Sequence, residues 1–127
     1  MILDTTFLID VLRDRKEAVE KAKELERSFE PVRTTTISVF ELWQGVKDLA
    51  EEREDIGNLL SSLGMLPFDL ESAFLAGDIQ RRLIKTGEGI DPEDSMIAGI
   101  VLKNKETILT KNVKHFGRIQ GLKIETY

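Results

Sequence analysis

Short apolar runs alternate with longer amphipathic stretches along this chain. Met1-Ile2-Leu3 is too short for a helix and ends at a polar cluster, which indicates a strand buried on both faces. Similar strand segments lie at 32–37, 65–68, 107–109 and 122–125, and apolar residues recur at helical spacing between them. This alternation predicts a parallel sheet covered by helices on both faces, a three-layer α/β/α sandwich that residues 1–127 form as a single domain.

Capping residues and charge runs set the expected helix boundaries. Thr5 or Thr6 is suited to cap the first helix. A helix carrying Ala18, Ala22, Leu25 and Phe29 is expected next, ended by Pro31, and a later helix is expected over Ser38–Ala50, with Ser38 as its cap. The apolar face of that helix comprises Leu42, Val46 and Leu49. The charge run Glu51–Asp55 is expected to form a solvated turn or a helix end.

Composition excludes several classes of protein. The chain has no cysteine and one histidine, which excludes a disulfide, a thiolate zinc site and a multi-histidine metal site. No apolar run approaches the roughly 20 residues of a membrane span, and the chain enters a strand at once, so a cytoplasmic protein without membrane contact is expected. The net charge of −5 gives no general attraction to nucleic acid. An RNA ligand would therefore need local basic residues and bound cations.

Three acidic residues fall where predicted strands end and helices begin. Asp4 follows the first strand, Glu41 lies on the first turn after the threonine-rich strand, and Asp94 lies on the first turn of the helix before strand 107–109. The ends of parallel strands and the starts of the following helices share one edge of a sheet, so these three side chains can point into one cleft. Thr110 and Asn112 follow the strand at 107–109 and belong to the same edge.

Each acid also has a purely structural interpretation. Asp4 could cap the first helix, Glu41 could complete a capping box with Ser38, and Asp94 could interact with its helix dipole. Two details favour a functional site. Asp94 shares its helix face with the apolar residues at 97, 98 and 101, which places it on the buried side, and Gly45 leaves space beside Glu41.

Three clustered carboxylates need a compensating charge. Two unit charges about 4 Å apart repel by roughly 4 kcal/mol at an effective dielectric of about 20. Protons or a cation must offset that repulsion. A site of carboxylates, hydroxyls and water suits Mg²⁺ or Mn²⁺, and such ions activate water and stabilise developing charge on a phosphate. The predicted metal ligands are Asp4, Asp94 and Glu41.

Four segments follow one another in order along the chain. They are Asp4-Thr5-Thr6, Glu41 ahead of Leu42 and Gly45, Asp94 leading into Ile97-Ala98, and Thr110-Lys111-Asn112-Val113-Lys114-His115-Phe116. Together they resemble the PIN-domain ribonucleases, and most closely the small VapC-type toxins of toxin–antitoxin pairs. The resemblance runs from Met1 to the closing strand at 122–125. It implies metal-dependent cleavage of single-stranded or loop RNA, an antitoxin protein as partner, and a homodimer.

The resemblance also implies residue roles. The candidate catalytic residues are Asp4, Glu41, Asp94, Thr6, Thr110 and Asn112. Thr6 matches the hydroxyl after the family's first acid, and Thr110 matches the threonine that ends its fourth strand. Many members carry a fourth acid where this chain has Asn112, whose amide can ligate or orient a water but adds no charge. A second metal ion is therefore expected to bind weakly or only with substrate.

Other residues near these segments have simpler explanations. His115 stands where some relatives have an acid and is expected to pack at the surface, Asp91 is explained as a helix cap, and Asp10 as an exposed residue. The candidate basic rim, which would contact RNA phosphates, comprises Arg81, Arg82, Lys85, Lys111 and Lys114, although a solvated face explains the first three equally well. The large apolar residues Phe40, Trp43 and Phe74 are expected in the core or in an interface, and Trp43 favours a surface for self-association.

Two other functions remain open from the sequence. A PIN fold without activity could serve as an interaction module; loss of an acid would indicate this, and only the fourth position is altered. A signalling receiver domain also has an acid after its first strand, a threonine and a lysine. It needs a pair of acids there and an acid after a third strand, whereas this chain supplies only Asp4. The leading prediction is an endoribonuclease that depends on Mg²⁺ or Mn²⁺ and is restrained by an antitoxin.

Overall fold

A five-stranded parallel sheet forms the centre of the molecule. The computed structural model describes residues 1–47 and 50–127. The strands are Ile2–Leu3 (β1), Arg33–Thr35 (β2), Gly64–Leu66 (β3), Thr107–Leu109 (β4) and Lys123–Glu125 (β5). Their order across the sheet is β3-β2-β1-β4-β5, and every pairing is parallel. Strands β2 and β3 therefore extend the sheet on one side of β1, and β4 and β5 extend it on the other side. The boundary between β1 and β4 is thus the topological switch point, where ligands bind in open α/β sheets.

Helices cover both faces of this sheet. In the described residues they are Thr5–Leu12 (α1), Lys16–Ser28 (α2), Thr36–Gln44 (α3), Ala50–Ser61 (α4), Leu70–Lys85 (α5), Pro92–Lys103 (α6) and Val113–Phe116 (α7). None of the described helices is long and apolar enough to cross a membrane.

Two separate apolar clusters confirm the predicted three layers. Ile2 and Ile108 point to one face and pack with residues of α5, α6 and α7, whereas Leu3 and Leu109 point to the other face and pack with residues of α1 to α4. Neighbouring residues of a strand face opposite sides of a sheet, so strands as short as these still contribute to both cores. The fully apolar start of the chain is explained by this burial on both faces.

The layer of α5 and α6 is packed closely enough to fix the position of α6. A side chain at Gly99 of α6 would bring its Cβ to 2.5 Å from the backbone oxygen of Ser72 in α5, a distance that only glycine avoids. At the start of α5, the Asp69 side chain accepts a hydrogen bond from the Ser72 amide at 3.0 Å. Both contacts matter for function because α6 carries Asp94 on its first turn.

The predicted boundaries of α1, α3 and α4 were partly wrong. Asp4, not a threonine, occupies the N-cap position of α1. Thr35 caps α3 by accepting a hydrogen bond from the Ser38 amide at 3.1 Å, so the helix begins before Ser38, and it ends at Gln44 rather than reaching Ala50. Leu49, expected on its apolar face, lies outside the described residues. The charged residues at 51–55, expected as a solvated turn or a helix end, lie at the N-terminal end of α4.

Three large side chains expected in the core or an interface lie at the surface. Phe40 is 55% exposed, Trp43 51% and Phe74 68%. A core position is therefore wrong for all three, because the cores on both sides of the sheet are filled by smaller aliphatic residues and by Phe7 and Phe116. An interface position stays a prediction.

Candidate active site

The switch point between β1 and β4 holds a buried carboxylate. Asp4 directly follows β1, is 2% exposed, and has the extended backbone of an N-cap residue. Its side chain makes no capping hydrogen bond. Instead, Oδ2 accepts hydrogen bonds from the hydroxyls of Thr110 at 2.6 Å and Thr6 at 2.9 Å. The interpretation of Asp4 as a simple helix cap is therefore wrong.

The two hydroxyls are themselves held in place. Thr110 is fully buried after β4, and its Oγ1 accepts a hydrogen bond from the Asn112 amide N–H at 2.9 Å. The Thr6 and Thr110 oxygens lie 3.3 Å apart. The Thr110 hydroxyl thus accepts from the Asn112 amide through its oxygen and donates its single proton to Asp4. Both threonines named from the sequence thus orient the buried carboxylate.

Glu41 reaches the same edge of the sheet from α3. Its Oε1 accepts a hydrogen bond of 2.7 Å from the Thr5 hydroxyl, which also lies 2.9 Å from the Ser38 hydroxyl. The expected capping box is wrong, since the Ser38 amide is bound by Thr35 and the Glu41 side chain points to α1. Thr5 was not among the candidate residues, although its place beside Asp4 and Thr6 was a signal that could have identified it.

Asp94 is the third residue of α6, and it lies on the buried face as predicted. Its neighbours on that face, at positions 97, 98 and 101, are completely buried. Its Oδ2 lies 2.9 Å from Nδ1 of His115 and accepts a hydrogen bond of 3.3 Å from the side-chain amide of Asn112. These contacts show that Asp94 does more than interact with the helix dipole, because two side chains from the segment after β4 converge on it.

His115 was expected to pack at the surface, and it is partly exposed there, but it also contacts the acidic site, which the sequence did not predict. The side chain is only 31% exposed, and Nδ1 approaches both Asp94 and, at 3.3 Å, the Asn112 amide nitrogen. Helix α7 places it there, since Asn112 at the N-cap of that helix and His115 on its first turn face the same side. The signal in the sequence was its three-residue spacing from Asn112 at the start of a helix.

Burial and mutual repulsion make the three acids hard to ionise. Burial raises the pKa of Asp4, and the hydroxyls of Thr110 and Thr6 offset only part of that effect. Burial also raises the pKa of Glu41, and the charges of Asp4 and Asp94 raise it further. The pKa of Asp94 is raised by burial as well, against the opposing contact with His115. Electrostatic coupling thus links all three carboxylates across the switch point.

A divalent metal ion fits the donors around Asp94. In the described part of the chain, donor atoms of Asp91, Asp94 and His115 all lie within 4.8 Å of one another. The side-chain atoms of Asp94, His115 and Asn112 form a triangle with edges of 2.9, 3.3 and 3.3 Å. Neighbouring ligands of an octahedral ion with bonds near 2.1 Å stand about 3 Å apart, so this triangle matches one face of such a shell. The Asn112 amide would present its oxygen by rotation of the amide group.

Comparison with known proteins identifies the family. The PIN domain model matches residues 1–122. The tRNA(fMet)-specific endonuclease VapC of Salmonella typhimurium is 30% identical over 129 residues, covering 99% of this chain and 96% of the relative. The chain belongs to the PIN-domain family, in its VapC-type branch.

Further relatives and solved structures that resemble this PIN domain match nearly its whole length, and the structures share its fold. Ribonuclease VapC19 of Mycobacterium tuberculosis is 29% identical, with 91% of this chain and 90% of the relative covered. The VapBC2 structure from Rickettsia felis, bound to a DNA fragment from its promoter, superposes with a TM-score of 0.89 at 22% identity over 99% of this chain and 97% of that chain. DNA-bound VapBC from Salmonella typhimurium gives 0.84 at 26% identity over 98% and 96%. The predicted fold is confirmed, and a receiver domain is excluded.

The remaining sequence candidates of this PIN domain have mixed outcomes. Asp91 occupies the N-cap position of α6, as predicted, but its side chain makes no capping hydrogen bond. Asp10, expected to be exposed, has a side chain only 19% exposed and paired with Lys111 at 3.0 Å. Within the candidate basic rim, Arg81 forms an ion pair with Asp78 at 3.0 Å. Lys111, another member of that rim, directs its backbone N–H to the Thr6 hydroxyl at 3.4 Å.

Proposed function

We propose that this PIN domain is a divalent-metal-dependent endoribonuclease and the toxin of a toxin–antitoxin pair. The observation that carries the proposal is a hydrogen-bond network at the switch point between β1 and β4, which links Asp4 through Thr110 and Asn112 to Asp94 and holds Glu41 on Thr5, the residue after Asp4. Carboxylates with raised pKa values tolerate this proximity best when a cation binds among them. The named relatives, called ribonucleases or tRNA endonucleases, support RNA as the substrate.

The residues fall into ligands and groups that orient them. We assign Asp4, Asp94 and Glu41 as the principal metal ligands, with Mg²⁺ or Mn²⁺ as the ion. Such an ion supplies an activated water and stabilises the charge that develops on the phosphodiester. Thr6 and Thr110 hold Oδ2 of Asp4, which leaves its other carboxylate oxygen for the ion. Orientation of ligands by hydrogen bonds of this kind is a general feature of metal sites.

Glu41 is also suited to move a proton. Thr5 engages Oε1, which leaves Oε2 to bind the ion or, when it is not bound to the ion, to accept the proton of the attacking water. Burial and the charges of Asp4 and Asp94 raise the pKa of Glu41, which brings a carboxyl group closer to the range in which a general base works at neutral pH. Glu41 and Gly45 line one cleft between α1, α3 and α4, with a volume of about 480 Å³, so the carboxyl group is accessible to a ligand.

Asn112 replaces the family's fourth acid beside Asp94. The amide changes the set of donor atoms there, but donor atoms remain. Asn112 and His115 both contact Asp94 Oδ2. We assign them, with Asp91, to a weaker second position for a cation. Loss of an acid would indicate the alternative of an inactive interaction module, and among the family's acids only the fourth is replaced in this sequence.

The protein partner follows from the relatives. One similar solved structure is named a toxin–antitoxin complex and another a member of the VapBC family of toxin–antitoxin systems. We extend such an assembly to the present chain, in the cytoplasm. An apolar groove of about 380 Å³ between α1, α2 and α4 is the surface we assign to the antitoxin. Its rim includes Phe29, which is 92% exposed. Phe29→Asp should abolish co-purification with the product of an adjacent antitoxin frame while leaving the fold intact.

The proposal is tested by RNA cleavage under metal control. Purified protein freed of metal should not cleave single-stranded RNA, and cleavage should return with Mg²⁺ or Mn²⁺ and disappear with chelator. Absence of any RNA cleavage under all metal conditions would overturn the enzymatic proposal and favour the interaction module.

A further inference from the structure

Lys111 connects the acidic site to the protein surface. It directly follows Thr110, and its backbone N–H points to the Thr6 hydroxyl at 3.4 Å. Thr6 in turn donates to the buried carboxylate of Asp4. The Lys111 side chain is nevertheless 44% exposed, so this residue joins a backbone contact in the site to a side chain at the protein surface.

Two side chains fix the direction of the Lys111 side chain. Its Nζ lies 3.0 Å from Oδ2 of Asp10 and 4.8 Å from the ring centre of Tyr127. The Tyr127 hydroxyl donates to the same oxygen of Asp10 at 2.8 Å. One carboxylate oxygen thus accepts from both groups, and the ammonium group is held between a charge and an aromatic face.

Tyr127 is itself anchored in the core. Its ring meets Phe7 edge to face, with centroids 4.9 Å apart and an angle of 79° between the rings. Phe7 is only 2% exposed, so the Tyr127 ring has a rigid support. The chain of contacts therefore runs from the core through Tyr127 and Asp10 to Lys111.

This arrangement suits the binding of a phosphate beside the acidic site. An RNA backbone that approaches Asp4, Glu41 and Asp94 meets negative charge, and the whole chain carries a net charge of −5. A cation at the rim lowers that local repulsion. An ammonium group has three N–H donors, so Lys111 can keep one on Asp10 while another binds a phosphate oxygen. A side chain that is already ordered loses less conformational entropy on binding.

We infer that Lys111 binds an RNA phosphate next to the acidic site, and that Asp10 and Tyr127 are positioning residues that hold its ammonium group there. The inference rests on the proposed ribonuclease function. The competing account is that the three side chains only fasten the segment after β4 to α1, without any contact with RNA.

The test measures RNA affinity separately from cleavage. A short fluorescent single-stranded RNA is titrated with the full chain carrying Asp94→Asn, so that the probe stays intact, over a series of salt concentrations. Adding Lys111→Met should weaken binding about tenfold near 0.1 M salt and reduce the slope of log affinity against log salt by about 0.7, the value for one phosphate contact on a single strand. Lys111→Arg, which keeps the charge, should retain most of the affinity.

A matched control separates this contact from general electrostatics. Lys23→Met, at an exposed position on α2, changes the net charge by the same amount and should leave affinity and slope unchanged. Tyr127→Phe keeps the ring on Phe7 and removes only the hydroxyl, and it should weaken binding about threefold. Combined with Lys111→Met it should add nothing, because the hydroxyl acts through the lysine.

The outcomes distinguish this inference from the function on which it rests. If Lys111→Met binds RNA as tightly as Lys23→Met does, the inference is wrong and the side chains of Lys111, Asp10 and Tyr127 have only a structural role, whatever the melting temperature. Cleavage of RNA by the parent chain would then still support the proposed function. If the effects of Tyr127→Phe and Lys111→Met multiply, the positioning role is wrong. If the parent chain neither binds nor cleaves RNA, both proposals fall together.

Discussion

The Thr110 hydroxyl donates a hydrogen bond of 2.6 Å to Oδ2 of Asp4, although 106 positions separate the two residues in the chain. The bond crosses the switch point, because Asp4 follows β1, Thr110 follows β4, and these strands are paired in parallel with Leu3 opposite Leu109. Correct pairing of two short strands is therefore what places a buried carboxylate beside its hydrogen-bond donor. The site depends directly on the register of the sheet.

Replacing Thr110 by valine tests the importance of this bond. Thr110→Val keeps the shape and removes the donor, so it should raise the pKa of Asp4 further, cost about 1–3 kcal/mol of unfolding free energy and lower RNA cleavage at least tenfold. Thr34→Val is the matched control, since Thr34 is equally buried and donates at 2.8 Å to the backbone oxygen of Leu3 instead. Equal losses of cleavage in the two variants, measured at matched fractions of folded protein, would show that Thr110 has no special role.

The acids predict how stability depends on pH in the metal-free protein. Burial raises the pKa of Asp4, Asp94 and Glu41 above the ordinary values of 3.8, 3.8 and 4.5. The folded state then holds protons more tightly than the unfolded state, so this stabilising contribution is complete below those values and is lost as pH rises through the raised folded values. The free energy of unfolding should therefore decline from weakly acidic pH towards neutral.

Asp10 affects the pH dependence of the free energy of unfolding in the opposite direction. Partial burial acts to raise its pKa, but the hydrogen bonds from Lys111 and Tyr127 outweigh burial and hold it below 3.8. Its contribution is thus present above that value and is lost only as pH falls below it. Denaturant titrations over a pH series measure both effects, and Asp94→Asn should make the decline towards neutral pH shallower. Identical plots of unfolding free energy against pH for the parent and this variant would show that the raised pKa of Asp94 does not contribute to the decline.

His115 offers a test of metal binding that does not depend on activity. His115→Ala removes a ring nitrogen that lies 2.9 Å from Asp94 Oδ2. It should leave no cavity in the core, since the side chain is about one-third exposed. Mn²⁺ affinity, measured by calorimetry, should fall about 10- to 100-fold, the usual range for a group that ligates or orients a ligand. Unchanged affinity would remove His115 from the metal site.

Trp43 is the clearest marker for the predicted self-association. It lies one turn from Phe40 on α3, both side chains are more than half exposed, and Arg53 stacks over the Trp43 ring at 5.9 Å. Large apolar side chains at the surface are typical of interfaces. Sedimentation at tens of micromolar should show a dimer for the parent chain and a monomer for Trp43→Glu. A parent chain that sediments as a monomer would contradict the prediction.

The outline of the fold and the main acids could be predicted because both depend on local pattern. The apolar runs at Ile2–Leu3 and Thr107–Leu109 mark strands, and right-handed crossovers bring Asp4 and Thr110 to one edge. The capping of α3 could not be predicted, since Ser38 and Thr35 are both good caps and tertiary contacts decide between them. The partners of His115 and Asp10 also escaped prediction, because each is set by side chains brought together only by the folded sheet.

Asp94→Asn gives the most direct test of the central claim, that a metal ion held by these carboxylates cleaves RNA. The variant keeps the shape of the side chain and removes one charge. Its matched control is Asp78→Asn, at an exposed position on α5 paired with Arg81. The parent and Asp78→Asn should cleave RNA with Mg²⁺ or Mn²⁺ and stop with chelator, whereas Asp94→Asn should be inactive with an equal or higher melting temperature, because repulsion among the acids is relieved. Cleavage that survives both chelator and Asp94→Asn would contradict the account.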